Sequence, residues 1–294
     1  MAIKTVGVIG CGLMGAGIAQ ICAQAGYKTL VHEVNDDLLK KGLDRIEGFL
    51  SKSVEKGKLA VEQKNAIMSN LSGTTALAEL KGADLVIEAA IENIDLKKEV
   101  FGELDKLCGA HTIFASNTSS LTITEMAAVT KRPDRFVGLH FFNPVPLMKL
   151  VEVVRTIQTS TGTFDAVFAF AKTLGKEPIA CKDNSGFVVN LLLVPYLIDA
   201  IRAVENGVAS VEDIDKGMML GCGYPMGPLT LLDFVGLDTT LYIANIMFEE
   251  YRDAKYAPPP LLRKMVLAGY YGKKTGKGFY DYSGDKPVVV DLGL

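Results

Sequence analysis

The chain has no excess of positive charge: 31 Lys and Arg stand against 34 Asp and Glu in 294 residues. Neutralising a polyanion requires such an excess, so the composition argues against nucleic-acid binding. Cysteine is sparse and odd in number. Cys11, Cys22, Cys108, Cys181 and Cys222 are scattered and never spaced as CxxC. That spacing argues against a disulfide framework or zinc site, predicts no metal, and fits a reducing cytosol. A long apolar run is also missing. The longest, 187–201, is interrupted by Asn190, Pro195 and Asp199 and is shorter than the roughly 20 residues a bilayer needs, so no membrane partner is expected. No charged-then-apolar leader is visible before Thr5, which points to a cytoplasmic protein. With 49% hydrophobic residues, the chain can bury the core of one large or two ordinary domains.

Against this background two polar residues stand out in apolar surroundings. His140 interrupts the run Val137, Leu139, Phe141, Phe142, and Glu152 interrupts Leu150, Val151, Val153, Val154. Near-continuous apolar runs of this length read as strands covered on both faces. Asn143, Pro144, Val145 and Pro146 lie between them and must turn or kink the chain. The two strands can then fold together, where an imidazole is the natural partner for a carboxylate that is costly to bury alone. One buried His and one unrelated edge-strand Glu is the alternative, and spacing alone does not decide between the two.

The amino terminus carries a second signal. A short strand, 5–9, runs into Gly10-Cys11-Gly12-Leu13-Met14-Gly15, followed by a helical segment ending at Gly26. In GxGxxG, Gly10 permits the tight turn, Gly12 lets backbone approach a pyrophosphate, and Gly15 allows close helix–strand packing, while the helix N-terminus attracts phosphate. A Gly-rich turn without ligand is the weaker reading, because a second strand, 28–33, ends in an acid where ribose hydroxyls should lie. Glu33 accepts hydrogen bonds from a 2′-hydroxyl and repels a 2′-phosphate, which favours NAD over NADP.

Further along, 36–58 reads as an amphipathic helix whose end is basic. Lys52, Lys56 and Lys58 suit either an anion site for a phosphate-rich substrate or a solvated helix end complementing the dipole. Strands near 83–89 and 112–115 alternate with helices, which predicts a parallel, doubly wound sheet with ligands at its carboxyl ends. Polar clusters follow two of those ends: Glu88, Glu92 and Asn93, then Ser116 to Ser120. For Thr118 and Ser120, and for Thr122 with Glu125, helix capping is the preferred reading. Beyond residue 183 only helices are expected before the tail, over 187–205, 211–220, 229–251 and 260–268.

The segments GCGLMGAGIAQ (10–20), FASNTSSLTIT (114–124), FVGLHFFNPVPLMKLVEVV (136–154), NSGFVVN (184–190), GYPMGPLTLLDFVGLDT (223–239) and GKKTGKGFYDY (272–282) resemble the 3-hydroxyacyl-CoA dehydrogenases. The single-function 3-hydroxybutyryl-CoA enzymes of that family look most similar, and the resemblance covers essentially the whole chain in order. It implies an α/β fold: a Rossmann-type doubly wound sheet over 1–183, followed by a smaller all-helical substrate and dimerisation domain over 184–294. It also implies NAD-linked interconversion of (S)-3-hydroxyacyl-CoA and 3-oxoacyl-CoA by a homodimer. On that resemblance His140 is the general base and Glu152 its orienting partner. Ser119 and Asn190 contact the acyl group and help place the imidazole. Glu33, Glu92, Lys97 and Asn117 contact the cofactor, with Asn143 counted among them, and Lys56 is the lysine nearest the CoA-phosphate position, which favours the anion-site reading of the cluster it forms with Lys52. Leu191 departs from the pattern, since many relatives carry Arg there. Cys11 replaces a smaller residue whose side chain should point away from the phosphate contact. The competing readings are a non-catalytic protein of this fold that binds nucleotide, and a dehydrogenase of small hydroxy or sugar acids.

Overall fold

The computed structural model describes residues 3–293. The chain forms two compact units, Met1–Phe187 and Val188–Leu294, dividing a few residues beyond the change in composition at 183.

The first unit is built on an eight-stranded sheet of order β3-β2-β1-β4-β5-β6-β7-β8. Its strands are β1 (Thr5–Ile9), β2 (Lys28–His32), β3 (Leu71–Thr74), β4 (Leu85–Glu88), β5 (Ile113–Ser116), β6 (Phe136–Phe141), β7 (Leu150–Arg155) and β8 (Glu177–Lys182). All neighbours pair in parallel except β6 and β7, which are antiparallel. The order reverses between β1 and β4, so a ligand crevice is expected at their carboxyl ends. The expected doubly wound sheet is therefore present. β3 was not legible, because Ser72 and Gly73 are exposed and supply no alternating pattern.

Period-two alternation feeds two cores. Val8 and Ile87 face one cluster, with α1 (Leu13–Gln24), α2 (Asp36–Glu55), α3 (Val61–Ser69) and α6 (Thr161–Thr173) packed over it. Ile9 and Val86 face the other, which is covered by α4 (Ile94–Leu107) and α5 (Ile123–Ala127). Two glycines act as the sequence predicts. Gly10 takes φ +86°, and a Cβ at Gly15 would lie 1.8 Å from the Gly10 carbonyl oxygen.

The second unit contains α7 (Val189–Glu205), α8 (Val211–Cys222), α9 (Pro228–Val235), α10 (Leu237–Tyr251) and α11 (Pro260–Leu267). It is not wholly helical: β9 (Tyr280–Asp281) and β10 (Val288–Val289) form a short antiparallel ribbon. The expected single helix over 229–251 is also incorrect. The chain bends by 93° between α9 and α10, at Gly236 with φ +101°, a conformation that L side chains rarely adopt. Among the described residues no single helix is long and apolar enough to cross a membrane.

Candidate active site

The antiparallel hairpin places His140 directly opposite Glu152 in register. His140 Nδ1 lies 2.7 Å from Glu152 Oε2, and the glutamate is fully buried. A carboxylate only accepts, so Nδ1–H donates and the Nε2 lone pair is left as acceptor. Nε2 makes no hydrogen bond among the described residues. Glu152 is not on an edge strand, since β7 also pairs with β8. From β8, the Cys181 thiol reaches the other carboxylate oxygen at 3.9 Å. Burial, and then Glu152, push that thiol up to about 12, so it stays protonated and unreactive. The rings of Phe142 and Phe187 lie 4.6 and 5.7 Å from the imidazole and fix its plane. Phe187 holds φ +47°.

Asn117 follows β5 and is buried. Its Oδ1 accepts from the Phe141 amide at 2.9 Å, tying the loop after β5 to the His140 strand. The next residues join a buried polar network. Glu92 Oε1 accepts from the Ser119 amide at 3.0 Å and from the Thr118 hydroxyl, and the Ser119 hydroxyl lies 3.5 Å away. Lys97, 1% exposed, reaches Glu88 at 2.5 Å and Glu92 at 3.3 Å. Glu88 also accepts from the Ala90 amide and the Ser116 hydroxyl. It sits on β4 beside the end of β1. The sequence flags Glu88 as polar but gives no sign that it is the hub, because its partners are distant in the chain.

The capping expectations around this loop are corrected. Thr122 precedes α5 but makes no side-chain cap bond. Asp183 caps that helix instead, accepting from the Ile123 and Thr124 amides and the Thr124 hydroxyl. A cap sixty residues away cannot be read locally. Thr118 Oγ1 accepts from the Ser120 and Leu121 amides, which makes it a loop brace. The Ser120 hydroxyl is buried without a hydrogen-bond partner among the described residues and caps nothing there.

At the glycine loop, a Cβ on Gly12 would meet nothing within 4 Å. The helix it opens has neither a side-chain cap nor an acid in its first turn. This is open space before unneutralised N–H groups, the setting a pyrophosphate requires. Glu33 Oε1 accepts from the Cys11 amide at 2.7 Å and Oε2 from the Val34 amide at 3.0 Å. The acid is thus held at the loop, where ribose hydroxyls would meet it. These residues fit a dinucleotide. Leu13 is exposed and Met14 half-buried beside them. The Cys11 side chain turns away and is buried, as expected: a Cβ on Gly42 of α2 would lie 2.2 Å from its sulfur, and burial pushes the thiol up to about 11.

The remaining expected residues lie on other elements. Lys52 and Lys56 are exposed at the end of α2, with no ion pair among the described residues. Asn143 is exposed at the start of the turn between β6 and β7. Asn190 and Leu191 are in the first turn of α7, in the second unit.

Residues 5–184 match the family model described as 3-hydroxyacyl-CoA dehydrogenase, NAD binding domain, and residues 186–282 match that described as 3-hydroxyacyl-CoA dehydrogenase, C-terminal domain. The 3-hydroxybutyryl-CoA dehydrogenase of Mycobacterium tuberculosis is 50% identical over 283 residues, spanning 96% of this chain and 99% of that protein. The mitochondrial hydroxyacyl-coenzyme A dehydrogenase of Sus scrofa is 51% identical over 288 residues, spanning 95% and 91%. A crystal structure of (S)-3-hydroxybutyryl-CoA dehydrogenase from Ralstonia eutropha aligns with a TM-score of 0.93 at 47% identity, covering 96% of this chain and all of that one. Matched through both units, and carrying the loop and the His–Glu hairpin described above, the chain belongs to the 3-hydroxyacyl-CoA dehydrogenase family.

Proposed function

We propose that the protein interconverts (S)-3-hydroxybutyryl-CoA and acetoacetyl-CoA, with His140 as the base and Glu152 as its partner. The observation that carries this reading is the 2.7 Å bond between the His140 ring and a fully buried carboxylate. Bound NAD supplies the hydride acceptor, so no metal is needed. His140 Nε2 takes the hydroxyl proton as the alcohol is oxidised. Glu152 keeps the ring in that tautomer and stabilises the imidazolium. Ser119 and Asn190 orient the acyl oxygen.

Gly10, Gly12, Leu13, Met14 and Gly15 receive the pyrophosphate and Glu33 the ribose. Glu92, Asn117 and Asn143 face the rest of the cofactor. Lys97 is sealed between two carboxylates, so we assign its part through Glu92 rather than by direct contact. Lys52 and Lys56 meet the CoA phosphates. Exposed Met219, Leu220 and Phe234, which line one pocket of the second unit, support a homodimer, because soluble monomers rarely leave clustered apolar side chains open. We place the protein in the cytoplasm.

The assay is NADH oxidation with acetoacetyl-CoA, compared with longer 3-oxoacyl-CoAs and with free acetoacetate. Turnover of the short CoA ester is expected. NADH binding without turnover of any 3-oxoacyl-CoA would leave a non-catalytic member of the fold, and preference for free acetoacetate would point to a small hydroxy-acid dehydrogenase.

A further inference from the structure

The turn between β6 and β7, residues 143–149, is held from two sides. On one side it packs against α1. A Cβ on Gly17 would lie 2.8 Å from Val145 Cβ and 3.2 Å from its Cγ2, so only glycine lets the turn approach the helix that opens at the glycine loop. On the other side is Lys176, which is buried and immediately precedes β8. Its Nζ donates to the Val145 carbonyl at 2.5 Å and to the Met148 carbonyl at 2.7 Å. No carboxylate pairs with it among the described residues. Within the turn, the Leu147 and Met148 amides both bond to the Pro144 carbonyl, so Lys176 takes two carbonyls other than that one.

An ammonium buried against carbonyls alone costs more than a neutral side chain of the same shape. It is an expensive way merely to fill space. The turn it grips begins three residues after His140 and opens with exposed Asn143. The same segment therefore touches the dinucleotide helix and continues the strand of the proposed base.

We propose that Lys176 is a positioning residue for hydride transfer: its ammonium fixes the 143–149 turn so that Asn143 meets the nicotinamide half of the bound cofactor. This rests on the dehydrogenase reading above. Lys176 touches neither cofactor nor substrate and acts through the turn. Without it the turn keeps its apolar contact with Gly17 but loses both outer anchors, and Asn143 is no longer held at one distance from the cofactor. A displacement of about 1 Å in a reacting assembly is enough to lower turnover by about 100-fold.

The test is Lys176→Met in the full chain, which keeps the apolar stem and removes every donor. NADH affinity is measured by fluorescence titration without acyl-CoA, followed by kcat and KM with acetoacetyl-CoA. The expected result is a Kd for NADH raised by roughly tenfold and a kcat lowered by roughly 10- to 100-fold, with KM for acetoacetyl-CoA within about twofold of the parent. Asn143→Ala should show the same split, and the double variant should be no worse than the more affected single one. A Lys176→Met protein with a lower Tm but unchanged Kd and kcat would reduce Lys176 to a structural tie and overturn the proposal, as would effects of Lys176→Met and Asn143→Ala that multiply. If Lys176→Met does not fold, Lys176→Gln keeps a shorter donor and carries the same comparison at smaller amplitude. A parent enzyme that binds NADH but reduces no 3-oxoacyl-CoA would sink the dehydrogenase reading, while the NADH titration would still decide whether Lys176 sets the turn.

Discussion

Replacing Glu152 with Gln tests the proposed chemistry most directly. The substitution keeps the volume of a fully buried side chain and removes an unfavourable buried charge, so the fold should survive. What it takes away is the negative partner of an imidazolium at 2.7 Å. A hydrogen bond to a charged group contributes about 1.5–3 kcal/mol, and about 1.4 kcal/mol is a factor of ten. The lost charge alone therefore predicts a fall of roughly 10- to 100-fold. The amide adds a second penalty. If its nitrogen faces Nδ1, the ring must carry its proton on Nε2, where it cannot act as base, and the total loss in turnover then reaches roughly 10²- to 10⁴-fold. The assay is kcat for acetoacetyl-CoA reduction, with NADH affinity titrated separately and expected to be unchanged. His140→Gln should lose a similar factor, and the double variant little more, because residues acting as one unit forfeit most of their joint effect at the first removal. A Glu152→Gln enzyme retaining nearly full turnover would refute the pairing and leave Glu152 as a strand carboxylate with another role.

Three further outcomes are expected. Glu33→Ala should weaken use of NADH more than use of NADPH, since only the 2′-hydroxyl loses a partner; a parent enzyme that already prefers NADPH would remove that role from Glu33. Lys52→Ala with Lys56→Ala should raise KM for acetoacetyl-CoA at low salt, and the difference should shrink as ionic strength rises; an unchanged KM at low salt would make these lysines ordinary solvated charges. Sedimentation at micromolar concentration should find a dimer, which charge substitutions at Leu220 and Phe234 dissociate; a monomeric parent would count against a dimer formed through the second unit.

The residues that could be read from sequence are those whose physics is local. Gly10, Gly12 and Gly15 declare a turn, a space and a close contact within six positions, and the structure gives each glycine that part. His140 and Glu152 stood out because polar residues inside apolar strands need a partner, and a turn rich in proline let the two strands fold together, but spacing alone left an unrelated His and Glu open until the 2.7 Å bond between them decided it. What was not legible is settled by tertiary partners. Asp183 caps α5 from sixty residues away, and Thr122, the plausible local cap, is unused. Glu88 draws in Lys97 and Ser116 across two strands and a helix. The break at Gly236 was hidden because apolar periodicity on both sides reads as one helix. Nothing in the sequence around Lys176 announces that its ammonium ends among carbonyls.

The antiparallel pairing of β6 with β7 also governs how this site can change over generations. In a ladder, successive side chains point to opposite faces, so a slip of one residue would set Glu152 against Leu139 or Phe141 and turn its carboxylate away from the imidazole. The proposed chemistry therefore depends on pairing frame as much as on side-chain identity. That frame is pinned twice, by β6 through His140↔Glu152 and by β8 through Glu152↔Ile179. A single-residue deletion inside β7 would have to break two ladders at once. Length variation among descendants of this chain should accordingly be purged from β6 and β7.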